Sequence, residues 1–306
     1  MKLLLLQSNI VWGDPISNCA NNEAVIDNFI KCGEHKGRGA DVDLVLLPEM
    51  FSTGFCTEPK DIAEKDDYSL NWMKKIAHKY NCAICGSVAV EINETFYNRH
   101  YFVYPNGDEV HYDKVHLFSY SDEDKHFTAG SKKTIVEWRG WKFLLQTCYD
   151  LRFPLLSRNH LTKNPLTNDN EYEYDAIIYV ASWPETRINA WNILLKARAI
   201  ENQCYAIGVN RIGTSPDAKY NGNSAVIDFK GNILIECVDI KNIETISGKR
   251  TSEESVNEKR KNSETMNREW SCRKSYEDSV AFLVDIEKDK LIAYREKFPT
   301  LQDSKE

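Results

Sequence analysis

Short apolar runs alternate with amphipathic stretches along most of this 306-residue chain. Apolar runs bounded by polar or turn residues are typical of buried strands, and apolar residues spaced three and four apart are typical of helices. The pattern predicts helices over residues 16–36, 68–79 and 187–202. It predicts strands over residues 2–10, 43–48, 82–92, 95–104, 141–148, 176–182, 204–210, 223–236 and 280–284, and another after the Asn106-Gly107 turn that ends near residue 114. This order predicts an α/β fold that contains antiparallel hairpins.

One segment interrupts the alternation. Residues 241–276 are dominated by Glu, Lys, Arg, Ser and Asn and contain few apolar side chains. Such a segment cannot bury enough surface to offset its conformational entropy. We therefore expect a single domain over residues 1–302 with a charged, mobile surface insertion at about 241–276, and a charged tail over 293–299 that ends the fold.

Composition narrows the range of partners. The net charge of -7 argues against nucleic acid or an anionic membrane as a partner. No apolar run reaches the length of a membrane span, and the four leucines at residues 3–6 are too few for a signal peptide. Nine scattered cysteines favour reduced thiols over a disulfide framework, and we interpret Cys82 and Cys85 as core residues. We expect a soluble, cytoplasmic protein.

Three predicted strands end in residues that can act together. Cys148 ends one strand, Glu49 follows a second, and Lys114 follows a third. A thiol with an ordinary pKa of about 8.5 needs a base or a cation nearby to become a nucleophile at neutral pH. Glu49 can serve as the base, and Lys114 can stabilise negative charge. These residue types at strand ends indicate a hydrolase that needs no metal.

The chemistry assigns further roles around the nucleophile. The backbone N–H of Tyr149 and the Lys114 ammonium are the natural donors to an oxyanion. With Glu49 as base, His116 is not required, and we expect Asp150 to accept backbone hydrogen bonds in the turn after the cysteine.

The same residues lie in three motifs that resemble a known family. Leu-Pro-Glu49-Met-Phe, Asp-Lys114-Val-His-Leu-Phe and Cys148-Tyr-Asp-Leu-Arg-Phe-Pro are similar to the three signatures of the nitrilase superfamily of carbon–nitrogen hydrolases, in the same order and with the same spacing. The resemblance covers residues 1–236 and 279–302. It implies a four-layer αββα sandwich, a homodimer or higher oligomer, no cofactor, and a second glutamate that orders the lysine. Glu123 stands at the matching position.

Within the superfamily, residues 119–127, 181–187 and 294–299 are most similar to the YafV-type omega-amidases. That resemblance implies hydrolysis of 2-oxoglutaramate and 2-oxosuccinamate to the 2-oxo dicarboxylate and ammonia. A carboxylate-bearing substrate needs a cation, for which Arg187 is the favoured candidate and Arg152 the other. For Arg152 we expect a structural salt bridge instead. The residues expected to wall the pocket are Phe118, Tyr120, Tyr149 and Trp183.

Other functions fit the same sequence. A deaminated-glutathione amidase has much the same cysteine motif, and a nitrilase or an N-carbamoyl amidohydrolase is a more distant alternative. An inactive scaffold that binds partners through the insertion at 241–276 is the alternative outside enzymes. The presence of Glu49, Lys114 and Cys148 together argues against a scaffold, because binding alone does not require all three.

Overall fold

Two seven-stranded sheets form the centre of the fold. The structure, a computed structural model, describes residues 1–34, 41–163, 170–238, 273–276 and 279–304. Its strands are β1 (Lys2–Gln7), β2 (Leu44–Leu46), β3 (Ala83–Ile92), β4 (Thr95–Val103), β5 (Glu109–Asp113), β6 (Thr134–Trp138), β7 (Trp141–Thr147), β8 (Leu161–Lys163), β9 (Asn170–Tyr172), β10 (Ala176–Ala181), β11 (Tyr205–Asn210), β12 (Ile212–Thr214), β13 (Lys219–Ile227), β14 (Ile233–Val238), β15 (Arg273–Tyr276) and β16 (Ser279–Asp285). Its α-helices are α1 (Pro15–Glu34), α2 (Tyr68–Tyr80), α3 (Glu123–His126), α4 (Pro154–Ser157), α5 (Ile188–Glu201) and α6 (Lys288–Lys297).

Strand order brings parallel strands to the middle of both sheets. The first sheet runs β15-β16-β1-β2-β3-β4-β5, and β1, β2 and β3 are parallel to one another. The second runs β12-β13-β11-β10-β7-β6, with β14 paired to β13, and β7, β10 and β11 are parallel. The antiparallel pairs include the β3-β4-β5 meander, in which the predicted turn at Asn106-Gly107 joins β4 to β5. A small hairpin of β8 and β9 stands apart.

The four-leucine run at the start of the chain shows why the fold has four layers. Leu3 and Leu5 belong to the cluster between the two sheets, whereas Leu4 and Leu6 pack in the cluster on the other face, which includes side chains of α1 and α2. Because successive side chains of a strand point to opposite faces, a strand buried on both faces is apolar throughout. The second sheet is likewise covered on its outer face by α5. The predicted αββα sandwich is confirmed.

The structure corrects some of the predicted elements. Arg273–Tyr276 pairs with β16, so the predicted insertion ends before residue 273, and its remainder over 241–272 lies outside the described residues. Most of the predicted charged tail, residues 293–297, lies in the helix α6, which buries only Leu291 and Arg295. Its narrow buried face explains why the hydrophobic pattern did not reveal it. Cys82 and Cys85 are buried free thiols, as expected.

Candidate active site

The residues predicted to be catalytic lie together at one end of the sandwich, where four strands end. Glu49 follows β2, Lys114 follows β5, Cys148 follows β7, and Ser182 follows β10. The carboxyl ends of parallel strands lie on the same edge of a sheet, which brings Cys148 and Ser182 together. Glu49 and Lys114 come from the first sheet, so the site lies where the two sheets face each other.

The loop that carries Glu49 lies directly against β3. Gly86 has no space for a side chain, since a Cβ there would lie 2.8 Å from Leu47 Cβ and 3.0 Å from Phe51 Cδ1. The N–H of Met50 donates to Ser87 Oγ at 2.9 Å, and Met50 itself has a φ of 45°. A non-glycine residue in this left-handed region is strained, so the surrounding contacts must hold the loop in place.

Lys114 is buried between two carboxylates. Its ammonium lies 2.9 Å from Glu49 Oε1 and 2.8 Å from Glu123 Oε2, and all three side chains are inaccessible to solvent. Burial alone would lower the pKa of Lys114, but Glu123 and Glu49 more than offset that effect, so its pKa is raised. Burial raises the pKa of Glu123 in spite of the opposing influence of Lys114. Two carboxylates beside one ammonium give the cluster a net negative charge.

Asn98 on β4 is a fourth member of this cluster that the sequence analysis missed. Its Nδ2 donates to Glu49 Oε1 at 2.8 Å and to Glu123 Oε1 at 3.1 Å. The Lys114 N–H donates to the backbone carbonyl of Asn98 at 3.0 Å. The only sequence signal was a polar residue in a predicted strand, and Asn98 is one of several polar residues in β4. Both carboxylates are therefore fixed by the same two donors.

The second oxygen of Glu49 faces the other sheet. Glu49 Oε2 accepts a hydrogen bond from the Ser182 N–H at 2.9 Å, and Ser182 Oγ donates to the Glu49 carbonyl at 3.1 Å. Asn210 in turn holds the residue after Ser182, because its Oδ1 accepts from the Trp183 N–H at 2.7 Å. Glu49 is thus oriented by groups from both sheets.

Cys148 begins a 3₁₀ helix, Cys148–Arg152, and has a φ of 45°. Burial raises the pKa of its thiol well above the ordinary value, and the negative charge of Glu49 adds to this, whereas Lys114 opposes it. The thiol is therefore protonated at neutral pH. Tyr149 is the second residue of the helix, where a backbone N–H has no acceptor within the helix. Its N–H is thus available to a ligand.

Asp150 fixes the turn that presents the cysteine. Its Oδ2 accepts from the Thr147 N–H at 3.0 Å and from the Tyr112 hydroxyl at 2.7 Å. Its Oδ1 accepts from the His116 N–H at 2.9 Å and lies 2.8 Å from His116 Nδ1. The expected backbone contact is confirmed. Through Tyr112, Asp150 also links the cysteine turn to β5, the strand that precedes Lys114. His116 therefore contacts Asp150, which positions the nucleophile.

A cavity of about 880 Å³ opens over Cys148 and Lys114. The four aromatic side chains predicted as walls all line it: Phe118, Tyr120, Tyr149 and Trp183. The cavity is also lined by residues that neither the motifs nor the strand ends singled out: Trp12, Phe55–Glu58 and Thr214–Tyr220. The cavity is large for a five-carbon amide, since typical ligand pockets of about 300–1,000 Å³ hold drug-sized molecules.

Two arginines line the same cavity. The Arg187 guanidinium lies 5.1 Å from the centroid of the Phe118 ring and 5.6 Å from that of Tyr120. The Arg152 guanidinium lies 5.0 Å from the centroid of Trp183. The structural salt bridge expected for Arg152 is wrong for the part of the chain that is described, where Arg152 pairs with no carboxylate. The position of Arg152 shortly after Cys148 did not reveal that its side chain extends over Trp183.

Within the described ranges, no group of three or more His, Cys, Asp or Glu side chains is arranged to hold a metal ion. Likewise, none of the helices described is long and apolar enough to cross a membrane.

Comparison with known proteins identifies similar chains. Residues 5–255 match the carbon–nitrogen hydrolase family. The chain is 41% identical over 235 residues to the omega-amidase YafV of Escherichia coli, covering 76% of this chain and 84% of the relative. It is 37% identical over 235 residues to the 2-oxoglutaramate amidase of Bacillus subtilis, with the same coverage of 76% and 84%. A CN-hydrolase superfamily protein of Xanthomonas campestris, solved with an arsenic adduct in its active site, has a TM-score of 0.80 and 31% identity, covering 100% of this chain and 97% of that one.

Proposed function

The chain belongs to the carbon–nitrogen hydrolase family, and on this premise we propose that it is an omega-amidase. The proposed reaction converts 2-oxoglutaramate, and also 2-oxosuccinamate, to the 2-oxo dicarboxylate and ammonia. The observation that carries the proposal is the buried contact of Lys114 with Glu49 and Glu123 beneath a cavity that also exposes Cys148. The names of the similar amidases support the choice of substrate.

The proposed mechanism begins with a neutral thiol. The Glu49 and Glu123 carboxylates already outnumber the Lys114 ammonium, so a free thiolate would add a third buried negative charge. Proton transfer from Cys148 to Glu49 avoids this, because it moves the charge from carboxylate to sulfur without increasing it. We therefore place proton transfer together with attack of Sγ on the amide carbon, which is general base catalysis of a nucleophile.

In the later steps, Glu49 donates the proton that it took from Cys148 and then accepts one from water. Lys114 and the Tyr149 N–H stabilise the oxyanion of the tetrahedral intermediate. Glu49 returns its proton to the amide nitrogen, and the carbon–nitrogen bond breaks. Ammonia departs, and the acyl group remains on Cys148 as a thioester. Water then attacks the thioester carbon while Glu49 takes the proton of the water. Collapse releases the acid and regenerates the thiol. Glu123 keeps Lys114 charged and in place.

For substrate binding we propose that Arg187 holds the free carboxylate. It is half-buried, it lies against two aromatic rings, and it has no carboxylate partner among the described residues. The planar guanidinium binds a carboxylate through two parallel hydrogen bonds. Phe118, Tyr120 and Trp183 then enclose the short carbon chain.

The deciding experiment measures ammonia release from 2-oxoglutaramate by the wild type and by Cys148→Ala. We expect turnover by the wild type and none by the variant. Because the cavity volume also admits larger amides, deaminated glutathione and a simple nitrile belong in the same panel. Preference for deaminated glutathione would replace the proposed substrate, and normal turnover by Cys148→Ala would refute the mechanism.

We further propose a cytoplasmic homodimer built from single domains of residues 1–302. Six cysteines among the described residues carry free thiols, which suits a reducing compartment: Cys19, Cys56, Cys82, Cys85, Cys148 and Cys204. On α5, Ile193 and Ile200 are 57% and 52% exposed and lie seven residues apart, so they share one face. Glutamate at both positions should halve the mass measured by light scattering. Ile16→Glu on α1, at a position that is 67% exposed, should leave the mass unchanged.

A further inference from the structure

Arg152 lines the cavity and has no carboxylate partner in the described part of the chain. Other arginines do find carboxylates: Arg99 binds Asp113, and Arg295 binds Asp175. Arg152 is exposed, and its guanidinium lies over the Trp183 ring instead. Stacking occupies the face of a guanidinium and leaves its in-plane N–H donors free. Those donors remain available to a ligand.

Trp183 connects Arg152 to the proposed carboxylate site. Its ring carries the Arg152 guanidinium, and its Nε1 donates to the Arg187 carbonyl at 2.8 Å. Trp183 is itself held rigidly, because its backbone N–H and carbonyl both bind the Asn210 side chain. The two arginines are therefore attached to one fixed aromatic side chain.

The position of Arg152 is also tied to the nucleophile. It ends the 3₁₀ helix that begins with Cys148, and with three residues per turn it lies on the same face as Tyr149. The Tyr149 ring packs against Phe118 with centroids 4.9 Å apart, and Phe118 carries the Arg187 guanidinium. Both cations thus line the cavity beside the thiol, each against an aromatic ring.

We propose that Arg152 is a specificity-determining residue that donates a hydrogen bond to the 2-oxo group of the substrate. This rests on the proposed function, in which the end of the substrate remote from the amide carries a carboxylate and an adjacent oxo oxygen. Arg187 uses its parallel N–H groups for the carboxylate. The oxo oxygen is a second acceptor that needs a second donor, and Arg152 supplies it from the lining of the same cavity.

The test compares two substrates in two arginine variants. The substrates are 2-oxoglutaramate and glutaramate, which has the same five-carbon chain without the 2-oxo group. Arg152→Met should lower kcat/KM for 2-oxoglutaramate by about tenfold to a hundredfold, the loss of one hydrogen bond from a charged donor, and change glutaramate by less than about threefold. Arg187→Met should lower both substrates by similar factors. Equal losses on both substrates in Arg152→Met, or no loss on either, would overturn the proposal.

Two further variants serve as controls for charge and for stacking on a tryptophan. Arg152→Lys keeps the charge and should lose less on 2-oxoglutaramate, still without affecting glutaramate, so it tests the proposal even if Arg152→Met folds poorly. Arg139→Met is the matched control, because Arg139 also lies over a tryptophan, Trp138, at 5.0 Å but does not line the cavity. If the wild type releases no ammonia from 2-oxoglutaramate, the proposed function fails together with this inference. If it does and the arginine variants do not discriminate, this inference alone fails.

Discussion

Glu49→Gln removes a negative charge from beside the Cys148 thiol while keeping the size of the side chain. The negative charge of Glu49 raises the pKa of Cys148 in addition to the larger effect of burial. Lys114 lowers it and remains in the variant. We therefore expect the substitution to lower kcat and yet to increase the thiolate population of Cys148.

The magnitude follows from the contact between the two groups. Unit charges about 4 Å apart, the separation of a hydrogen bond to sulfur, repel by about 4 kcal/mol at an effective dielectric constant of about 20. Since about 1.4 kcal/mol corresponds to a factor of ten, the thiolate population at a fixed pH rises by up to about a thousandfold. Loss of the general base should lower kcat by about 10²–10⁴-fold.

The assay is alkylation by iodoacetamide as a function of pH, read by mass spectrometry of the peptide that contains Cys148, because other cysteines are present. We expect the alkylation profile of Glu49→Gln to move to lower pH than that of the wild type. Glu64→Gln is a suitable control, since Glu64 is buried in a separate cluster with Ser52 and Ser69. An unchanged profile, or one moved to higher pH, would show that Glu49 does not suppress the thiolate.

Three other substitutions test the supporting contacts. Lys114→Met leaves Glu49 and Glu123 buried without their shared cation, so we expect the free energy of unfolding in urea to fall by about 3–5 kcal/mol. Burial and the charge of Glu49 raise the pKa of Glu123, so the folded variant binds more protons than the unfolded chain. Its stability should therefore rise as pH falls toward about 4.3, the ordinary pKa of a glutamate, and a flat profile contradicts this. Asp150→Asn should lower kcat at least tenfold by loosening the cysteine turn, as measured by ammonia release. Tyr112→Phe should cost about 1–2 kcal/mol on thermal unfolding with kcat nearly unchanged, and an equal loss of kcat in both variants would contradict these separate roles.

Much of the candidate site could be predicted because its residues directly follow strands. Strand ends can be read from hydrophobic runs, and Glu49, Lys114 and Cys148 each come within three residues of one. Motif resemblance then pointed to Glu123, which lies on a short helix with no hydrophobic pattern of its own. For Glu123 the informative signal was the resemblance to the nitrilase superfamily, because its local sequence is typical of an exposed acidic loop.

Contacts between distant segments could not be predicted in the same way. Asn98 joins the cluster because β4 lies between β3 and β5, which sets its side chain between two carboxylates. Ser182 reaches Glu49 only because the two sheets face each other. The partner of Arg152 depends on the direction of a long flexible side chain. Its position shortly after Cys148 predicted a salt bridge, whereas in the structure its guanidinium lies over Trp183.

The buried strands and the residue types of the chemistry follow from the local sequence. A strand that is apolar on both faces has to be buried on both, and a thiol needs a base and a cation to react at neutral pH. Tertiary structure alone decided how these groups act on one another. Strand pairing and the packing of the two sheets set the distances among two carboxylates, one ammonium and one thiol. Those distances decide where the proton resides, because electrostatic energy in a buried site depends on separation and burial, neither of which is local in sequence.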